Sequence, residues 1–240
     1  MEIIDCHVHL NRQREGYLSE MLRIMDRYEI AKAIVFPGTE ILPDNFGMAR
    51  AIGPHRDRFF PFAWINPILD PKKAVDELRK LVETYGFLGM KFHPLFHSFY
   101  PNREYTARVV EQCIDYGIPI LVHSGHAPYS TPFQIAELAD DYPEATIIMD
   151  HMGLQVGWVD DAIKLAKKHP NIILGTTAMP FHEKIRLAVR TIGAERVIFG
   201  SDAPSIHPLP EMEKVRLAEL SPEEMELVMG KNVKRLLKFA

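Results

Sequence analysis

The chain has 240 residues, of which 47% are hydrophobic and 25% charged, as in ordinary soluble globular proteins of one or two domains. Its formal net charge of -4 argues against a general nucleic-acid binder, because such proteins carry a concentrated basic patch. Two cysteines are too few for a disulfide framework, and we find neither an export signal nor an apolar run of the ~18 residues that cross a bilayer, so we expect a cytoplasmic protein without a membrane span.

Short apolar runs alternate with segments of helical spacing along the chain, as in βαβ units. We predict eight strands, at residues 2–10, 31–37, 59–66, 87–93, 119–124, 146–151, 171–176 and 196–201. A capping residue followed by proline predicts helix starts at Asp70-Pro71, Thr131-Pro132 and Ser221-Pro222. An extra amphipathic helix is expected from Ser221 to Phe239.

Eight parallel strands with helices outside them close into a (β/α)₈ TIM barrel, for which ~250 residues is the usual size. An open doubly wound sheet would use the same units, but no Gly-rich phosphate turn follows the first strand. No linker or low-complexity tract divides the chain, so we expect one domain over residues 1–240.

The first predicted strand carries two imidazoles in the run EIIDCHVHL. Because residues i and i+2 of a strand point to the same face, His7 and His9 should project together, with Cys6, Val8 and Leu10 on the opposite face. The pair could share a ligand, or it could be hydrogen-bonded in a polar corner of the fold.

Further histidines end other predicted strands. His93, His123 and His151 each close an apolar run, where an unpartnered polar ring would be costly to bury. Asp202 directly follows the eighth strand, in RVIFGSDAP. The active site of a barrel lies at the C-terminal ends of its strands, and three neutral imidazoles plus a carboxylate suit Zn²⁺, so the pattern indicates a metal site there. His55 and His169 fall on the opposite face and serve as a contrast.

With these residues in place, the chain resembles the amidohydrolase superfamily of metal-dependent barrels, and most closely its amidohydrolase-2 branch. The resemblance rests on D-x-H-x-H in the first strand, a histidine closing the fifth and sixth strands, G-S-D-x-P after the eighth, and the segment MGKNVKRLL near the C-terminus. It implies that His7, His9, His123 and Asp202 hold one divalent ion, most simply Zn²⁺. Asp202 would also shuttle the proton of the attacking water, and His151 would orient that water or stabilise the oxyanion.

The fourth strand, in GFLGMKFHP, adds Lys91 and His93 near the same mouth. Some relatives carry a carboxylated lysine there that bridges two metals, but we prefer a single ion, with Lys91 and His93 contacting substrate. Arg12, after the first strand, could join Lys91 in binding a substrate carboxylate. The loop PLFHSFYPN would form an apolar wall, or pack against a second subunit of a homo-oligomer.

The expected activity is hydrolysis of a C–N or C–O bond in a small, carboxylate-bearing molecule. The main alternative is a non-oxidative decarboxylase, a reaction that the same branch includes. A TatD-type deoxyribonuclease would require Glu on the fourth strand, where this chain has Lys91, and a non-catalytic barrel would not need the intact ligand set.

Overall fold

The computed structural model describes residues 1–10, 15–38 and 42–238, in which eight parallel strands follow one another around a sheet in chain order. The strands are β1 Ile3–Leu10, β2 Ile30–Pro37, β3 Phe59–Trp64, β4 Gly89–Phe92, β5 Ile120–His123, β6 Ile147–Asp150, β7 Ile172–Gly175 and β8 Val197–Ile198. Backbone hydrogen bonds join β1 to the residues that directly follow β8, from Cys6 N to Phe199 O (2.9 Å) and from Asp202 N to His7 O (2.9 Å). These bonds close the sheet, so the predicted TIM barrel is confirmed.

β8 is shorter than the predicted strand over residues 196–201. Its ladder with β7 covers only Val197 and Ile198. The next residue, Phe199, donates its amide to Val228 O at 2.9 Å, because the chain turns here from β7 towards β1 and the C-terminal segment. This turn delivers the following residues, including Asp202, to the end of β1.

Helices follow each of the strands along the chain. They are α1 Tyr17–Arg27, α2 Asn45–Ile52, α3 Pro71–Tyr85, α4 Pro94–His97, α5 Glu104–Tyr116, α6 Pro132–Asp141, α7 Val156–Lys168, α8 His182–Ile192 and α9 Pro208–Arg216, and α4 and α5 both follow β4. The predicted starts of α3 and α6 are confirmed: Asp70 accepts the amide of Lys73 at 3.1 Å, and Thr131 forms a capping box. Within the described ranges, no helix combines the length and apolar character needed to cross a membrane.

The C-terminal segment closes the bottom of the barrel. It comprises α10 Pro222–Glu226, a π-helical turn Leu227–Lys231 and α11 Asn232–Leu236; Phe239, the predicted end, lies outside the described residues. Val233 and Leu237 pack into the apolar cluster inside the barrel. Because this end is plugged, access to the barrel interior is from the C-terminal ends of the strands.

Candidate metal centre at the barrel mouth

β1 turns both of its histidines into the barrel by means of a pairing irregularity. Its register against β2 shifts between Asp5 and Val8, where β1 accommodates an extra residue as a β-bulge. Before the bulge Cys6 packs in the interior cluster, whereas after it Val8 and Leu10 pack in the outer layer beneath the helices. The prediction that Cys6 shares the outer face is therefore wrong, because the bulge reverses the alternation of the strand.

Three candidate ligand atoms, two from β1 and one from the segment after β8, lie close together at the mouth of the barrel. The Nε2 atoms of His7 and His9 are 3.0 Å apart, and they lie 3.4 Å and 3.3 Å from Asp202 Oδ1. Nitrogen and oxygen ligands that each lie ~2.0–2.2 Å from one ion are separated from one another by distances of this size. The spacing of the three atoms therefore fits a single divalent ion, even though the side chains come from opposite ends of the sequence.

The other nitrogens of these two rings are already occupied. His7 Nδ1 contacts Asp150 Oδ2, and His9 Nδ1 donates to the carbonyl oxygen of Pro37 at 3.2 Å. Burial and the nearby Lys91 lower the pKa of His7 to about 3, and the same causes lower the pKa of His9. Both rings are therefore neutral at pH 7, with the proton on Nδ1 and the lone pair of Nε2 directed to the mouth.

Asp202 adopts a left-handed backbone conformation, with φ of 66°, which is unusual for a residue with a side chain. Its side chain is 21% exposed, whereas that of His7 is 1% exposed. Although burial opposes ionisation, the pKa of the Asp202 carboxyl lies below its usual value. An ionised carboxylate thus stands between the buried imidazoles and the solvent.

Lys91 is fully buried beside the same atoms. Its Nζ lies 3.0 Å from His7 Nε2 and 4.0 Å from the centre of the Phe36 ring. Burial lowers the pKa of this ammonium group to about 8, so a neutral amine is accessible near physiological pH. Lys91 therefore adds an adjustable positive charge directly next to the candidate ligands.

β6 supplies a second group of ligand atoms. Asp150 lies at the end of β6, where its Oδ2 contacts His7 Nδ1 and lies 3.4 Å from His151 Nε2. Asp150 Oδ1 and His151 Nε2 are both buried and have no hydrogen-bond partner. His151 Nδ1 donates to the carbonyl oxygen of Thr177 at 3.0 Å. Among the described residues, the groups with ligand atoms within 4.8 Å of one another are His7, His9 and Asp202, and His7, Asp150 and His151.

Four rings form a stacked column across the mouth. Trp64 stacks on His93 with ring centres 5.5 Å apart, His93 on His123 at 3.9 Å, and His123 on His126 at 4.9 Å. His123 Nε2 lies 2.8 Å from His126 Nδ1. His93 Nδ1 accepts the amide of Phe96 at 3.2 Å, so in the neutral ring the remaining proton of His93 is on Nε2.

The predicted site residues thus separate into groups. His7, His9 and Asp202 share one cluster, His151 lies against it, and Lys91 touches it. His123 Nε2 faces His126 rather than the three ligand atoms, so the role of His123 as a metal ligand stays a prediction. Arg12 lies outside the described residues. His55 and His169 lie just before β3 and β7, at the plugged end, as predicted.

Asp150 is the residue of this site that the sequence analysis overlooked. A signal was available, because Ile148 packs inside the barrel and Asp150 is two residues further along the same strand. The alternation of β6 therefore predicts a buried carboxylate that faces inward at the mouth. In the run IIMDHMG, the sequence-based prediction included only His151, the residue after Asp150.

Comparison with known proteins agrees with this architecture. A family model described as "Amidohydrolase" matches residues 4–239. The gamma-resorcylate decarboxylase of Rhizobium sp. is 22% identical over 247 aligned residues, covering 76% of this chain and 75% of that protein.

Two solved structures share the fold. An uncharacterized TIM-barrel protein from Bordetella bronchiseptica has a TM-score of 0.84 and 19% identity, with 99% of each chain covered. A dihydroxybenzoic acid decarboxylase from Polaromonas sp., with bound manganese and the inhibitor 2-nitroresorcinol, has a TM-score of 0.79 and 18% identity, covering 99% of this chain and 97% of that one.

Proposed function

The chain belongs to the amidohydrolase family, and from this membership we propose that it is a metal-dependent hydrolase acting on a C–N or C–O bond of a small molecule. The observation that carries the proposal is the convergence of His7 Nε2, His9 Nε2 and Asp202 Oδ1 within 3.4 Å of one another at the open end of the barrel. Neutral imidazoles and a carboxylate are the donors that divalent ions such as Zn²⁺ prefer.

His7, His9 and Asp202 would hold one such ion, with His123 as the fourth ligand once it exchanges its contact with His126. We propose Zn²⁺, and the manganese in the Polaromonas enzyme makes Mn²⁺ the first alternative to test. When bound, a divalent ion polarises a substrate carbonyl and makes water easier to deprotonate. The other steps are assigned to the chain's own residues.

Asp202 is the proposed general base. It is ionised at neutral pH, partly exposed and next to both imidazoles, so it can accept a proton from the attacking water and pass it to the leaving group. His151 Nδ1–H donates to Thr177 O, so in the neutral ring the buried Nε2 carries no proton. An unprotonated nitrogen accepts rather than donates hydrogen bonds, so of its two predicted roles we assign His151 the orientation of the water.

The substrate is proposed to carry a carboxylate. Lys91 offers a buried positive charge beside the ligands, and the Nε2–H of His93 is a donor for a substrate oxygen. Arg12 would add a second cation. Trp64 and the half-exposed Phe96, whose rings are 6.2 Å apart, would contact the apolar part of the molecule.

A second candidate is a metal-dependent decarboxylase, which the names of both the Rhizobium and the Polaromonas relatives favour. In that reaction the carboxylate itself leaves as CO₂, and a proton must be delivered to the carbon that it leaves. Asp202, which is ionised at rest, would then have to bring a proton of its own, since no attacking water supplies one. In hydrolysis the same carboxylate first collects the proton of the water and then passes it on, and we therefore prefer hydrolysis.

A substrate panel tests the choice. Zinc-loaded and manganese-loaded protein is incubated with lactones, amides, esters and aromatic carboxylic acids, while acid release and CO₂ release are measured together. We expect metal-dependent acid release that Asp202→Asn lowers ~10²–10⁴-fold. Metal-dependent CO₂ release without hydrolysis of any compound would establish the decarboxylase instead.

We further propose that the protein works in the cytoplasm on a small molecule rather than on nucleic acid. The support is chemical: Cys6 and Cys113 are both buried free thiols, as is usual for proteins of a reducing compartment. Localisation of a tagged full-length chain by cell fractionation tests this proposal.

A further inference from the structure

We propose that Glu211 is a positioning residue that fixes the tautomer of His151 through one peptide group, the peptide between Thr177 and Ala178. The hydrogen bonds that carry this proposal do not depend on any activity of the protein. Only the expected effect on catalysis rests on the proposed function. Glu211 lies on α9, after the last strand of the barrel, and does not belong to either cluster of candidate ligands.

The carbonyl oxygen and the amide of this peptide each make one hydrogen bond to a side chain. Its carbonyl oxygen, Thr177 O, accepts from His151 Nδ1 at 3.0 Å. Its amide, Ala178 N–H, donates to Glu211 Oε2 at 2.8 Å. A carboxylate, a peptide and an imidazole are therefore connected in series, and each hydrogen bond polarises the peptide in the direction that strengthens the other.

A carbonyl oxygen can only accept, so this peptide requires a proton on His151 Nδ1. In the neutral ring Nε2 is then unprotonated, and it is buried without a hydrogen-bond partner beside Asp150 Oδ2. The peptide orientation thus decides which nitrogen of His151 is available to the mouth. If the peptide turned over, its N–H would face Nδ1 and the proton would move to Nε2.

The backbone itself favours that reversal. Ala178 has φ of 56°, in the left-handed region that a residue with a Cβ rarely adopts. Turning the Thr177–Ala178 peptide over changes this φ and would relieve the unfavourable conformation. The observed orientation therefore needs an acceptor for the Ala178 amide, and Glu211 is that acceptor.

Glu211 is itself held firmly. It is only 5% exposed, and Lys214, one turn later on α9, places its Nζ 2.6 Å from Glu211 Oε2. The same Nζ donates to the carbonyl oxygen of Met179 at 2.6 Å. Lys214 thus joins Glu211 to the loop after β7, which fixes the Glu211 carboxylate at the amide of the Thr177–Ala178 peptide.

The test is ¹⁵N NMR of histidine side chains in the full-length protein, with metal removed and with zinc added, since ring nitrogen shifts distinguish the two tautomers. The His151 signals are assigned by their loss in His151→Gln. The variants are Glu211→Met, which keeps the size but has no acceptor, Glu211→Gln, which keeps an oxygen acceptor, and Glu211→Met combined with Ala178→Gly. Glu213→Gln, at a glutamate of the same helix whose side chain is 46% exposed, is the control.

We expect His151 to carry its proton on Nδ1 in the wild-type, Glu211→Gln and Glu213→Gln proteins. In Glu211→Met the proton should move to Nε2, and kcat should fall ~10–100-fold, the usual effect of losing a partner that orients a site residue. Adding Ala178→Gly should restore Nδ1–H, because glycine adopts positive φ without strain and no longer needs Glu211 to hold the peptide.

A wild-type ring protonated on Nε2 would overturn the proposal, as would an unchanged His151 tautomer in a folded Glu211→Met protein. If Glu211→Met fails to fold but regains both fold and Nδ1–H with Ala178→Gly, the proposal stands. If both fail to fold, Glu211 is needed for folding alone and the proposal is wrong. These readouts need no substrate, so they stay distinct from a failure of the proposed hydrolase activity.

Discussion

The carboxylate of Asp150 contacts Nδ1 of His7 inside the barrel, joining β6 to β1 across the barrel interior. Both side chains are buried, with relative exposures of 0% for each residue. The contact keeps the proton of His7 on Nδ1 and directs its Nε2 at His9 and Asp202. A carboxylate behind a ligating histidine is a common way for proteins to orient the ring and raise its basicity.

Asp150→Asn should therefore weaken metal binding ~10–100-fold, as loss of such an orienting partner usually does. The amide keeps the shape of the side chain but removes the negative charge that holds the Nδ1–H. Calorimetric titration of metal-free protein with Zn²⁺ measures the effect. Asp140→Asn is the control, since that side chain is 71% exposed and contacts His169 at the opposite end. Equal zinc affinity in the Asp150→Asn and wild-type proteins would contradict the assigned role.

Asp202→Asn should leave the fold intact but remove the anionic base, lowering kcat by ~10²–10⁴-fold. Zinc affinity should fall as well, and excess zinc should restore binding without restoring activity. Steady-state kinetics at saturating zinc measures both effects. His169→Asn, at the plugged end of the barrel, should change activity little. Full activity in zinc-loaded Asp202→Asn would remove Asp202 from the mechanism.

Lys91 gives a prediction about stoichiometry. If Lys91 binds substrate, the purified protein holds about one equivalent of metal and its intact mass shows no added CO₂. Lys91→Met should then keep the ion but raise KM for carboxylate-bearing substrates, because the buried charge beside His7 is lost. Elemental analysis and native mass spectrometry provide the readouts. Two equivalents of metal, with a mass increase equal to CO₂ that Lys91→Met abolishes, would establish a bridging carboxylated lysine instead.

Stability of the metal-free protein should fall as the pH decreases below about 6.5, the ordinary histidine pKa. Burial, the largest cause in each case, lowers the pKa values of His7, His9, His93 and His123 in the folded state, to about 3 for His7. Below this pH the histidines of the unfolded chain therefore bind protons that the same histidines in the folded protein do not bind. Asp5 acts in the opposite direction, because burial raises its pKa to about 7 and the folded state keeps that proton at lower pH.

Because four buried histidines lose proton affinity on folding and one buried carboxyl gains it, the free energy of unfolding should decrease as the pH falls from about 7.5 to about 5.5. Urea denaturation of chelator-treated protein at about pH 7.5 and about pH 5.5 measures this difference. A free energy of unfolding that is constant over this range would show that the histidines are not buried as neutral rings.

The sequence alone determined the barrel, the end of it that is open and most of the residues at that end. This worked because both signals are local: the alternation of apolar runs with helical segments sets the architecture, and the position of a residue within its strand sets the end to which it belongs. The prolines after Asp70, Thr131 and Ser221 located helix starts for the same reason, since a cap requires only its own first turn.

Only the tertiary structure decided which atoms meet. The β-bulge in β1 exists because of its register with β2, so no pattern within the strand could indicate that Cys6 faces inward. The contact of Asp150 with His7 and the link from Glu211 to His151 join segments 143 and 60 residues apart, and they depend on how the closed barrel packs its loops. Residue type and local spacing specify which chemical groups reach the mouth, whereas hydrogen-bond partners, tautomers and charge states depend on distances of a few ångströms that long-range packing fixes.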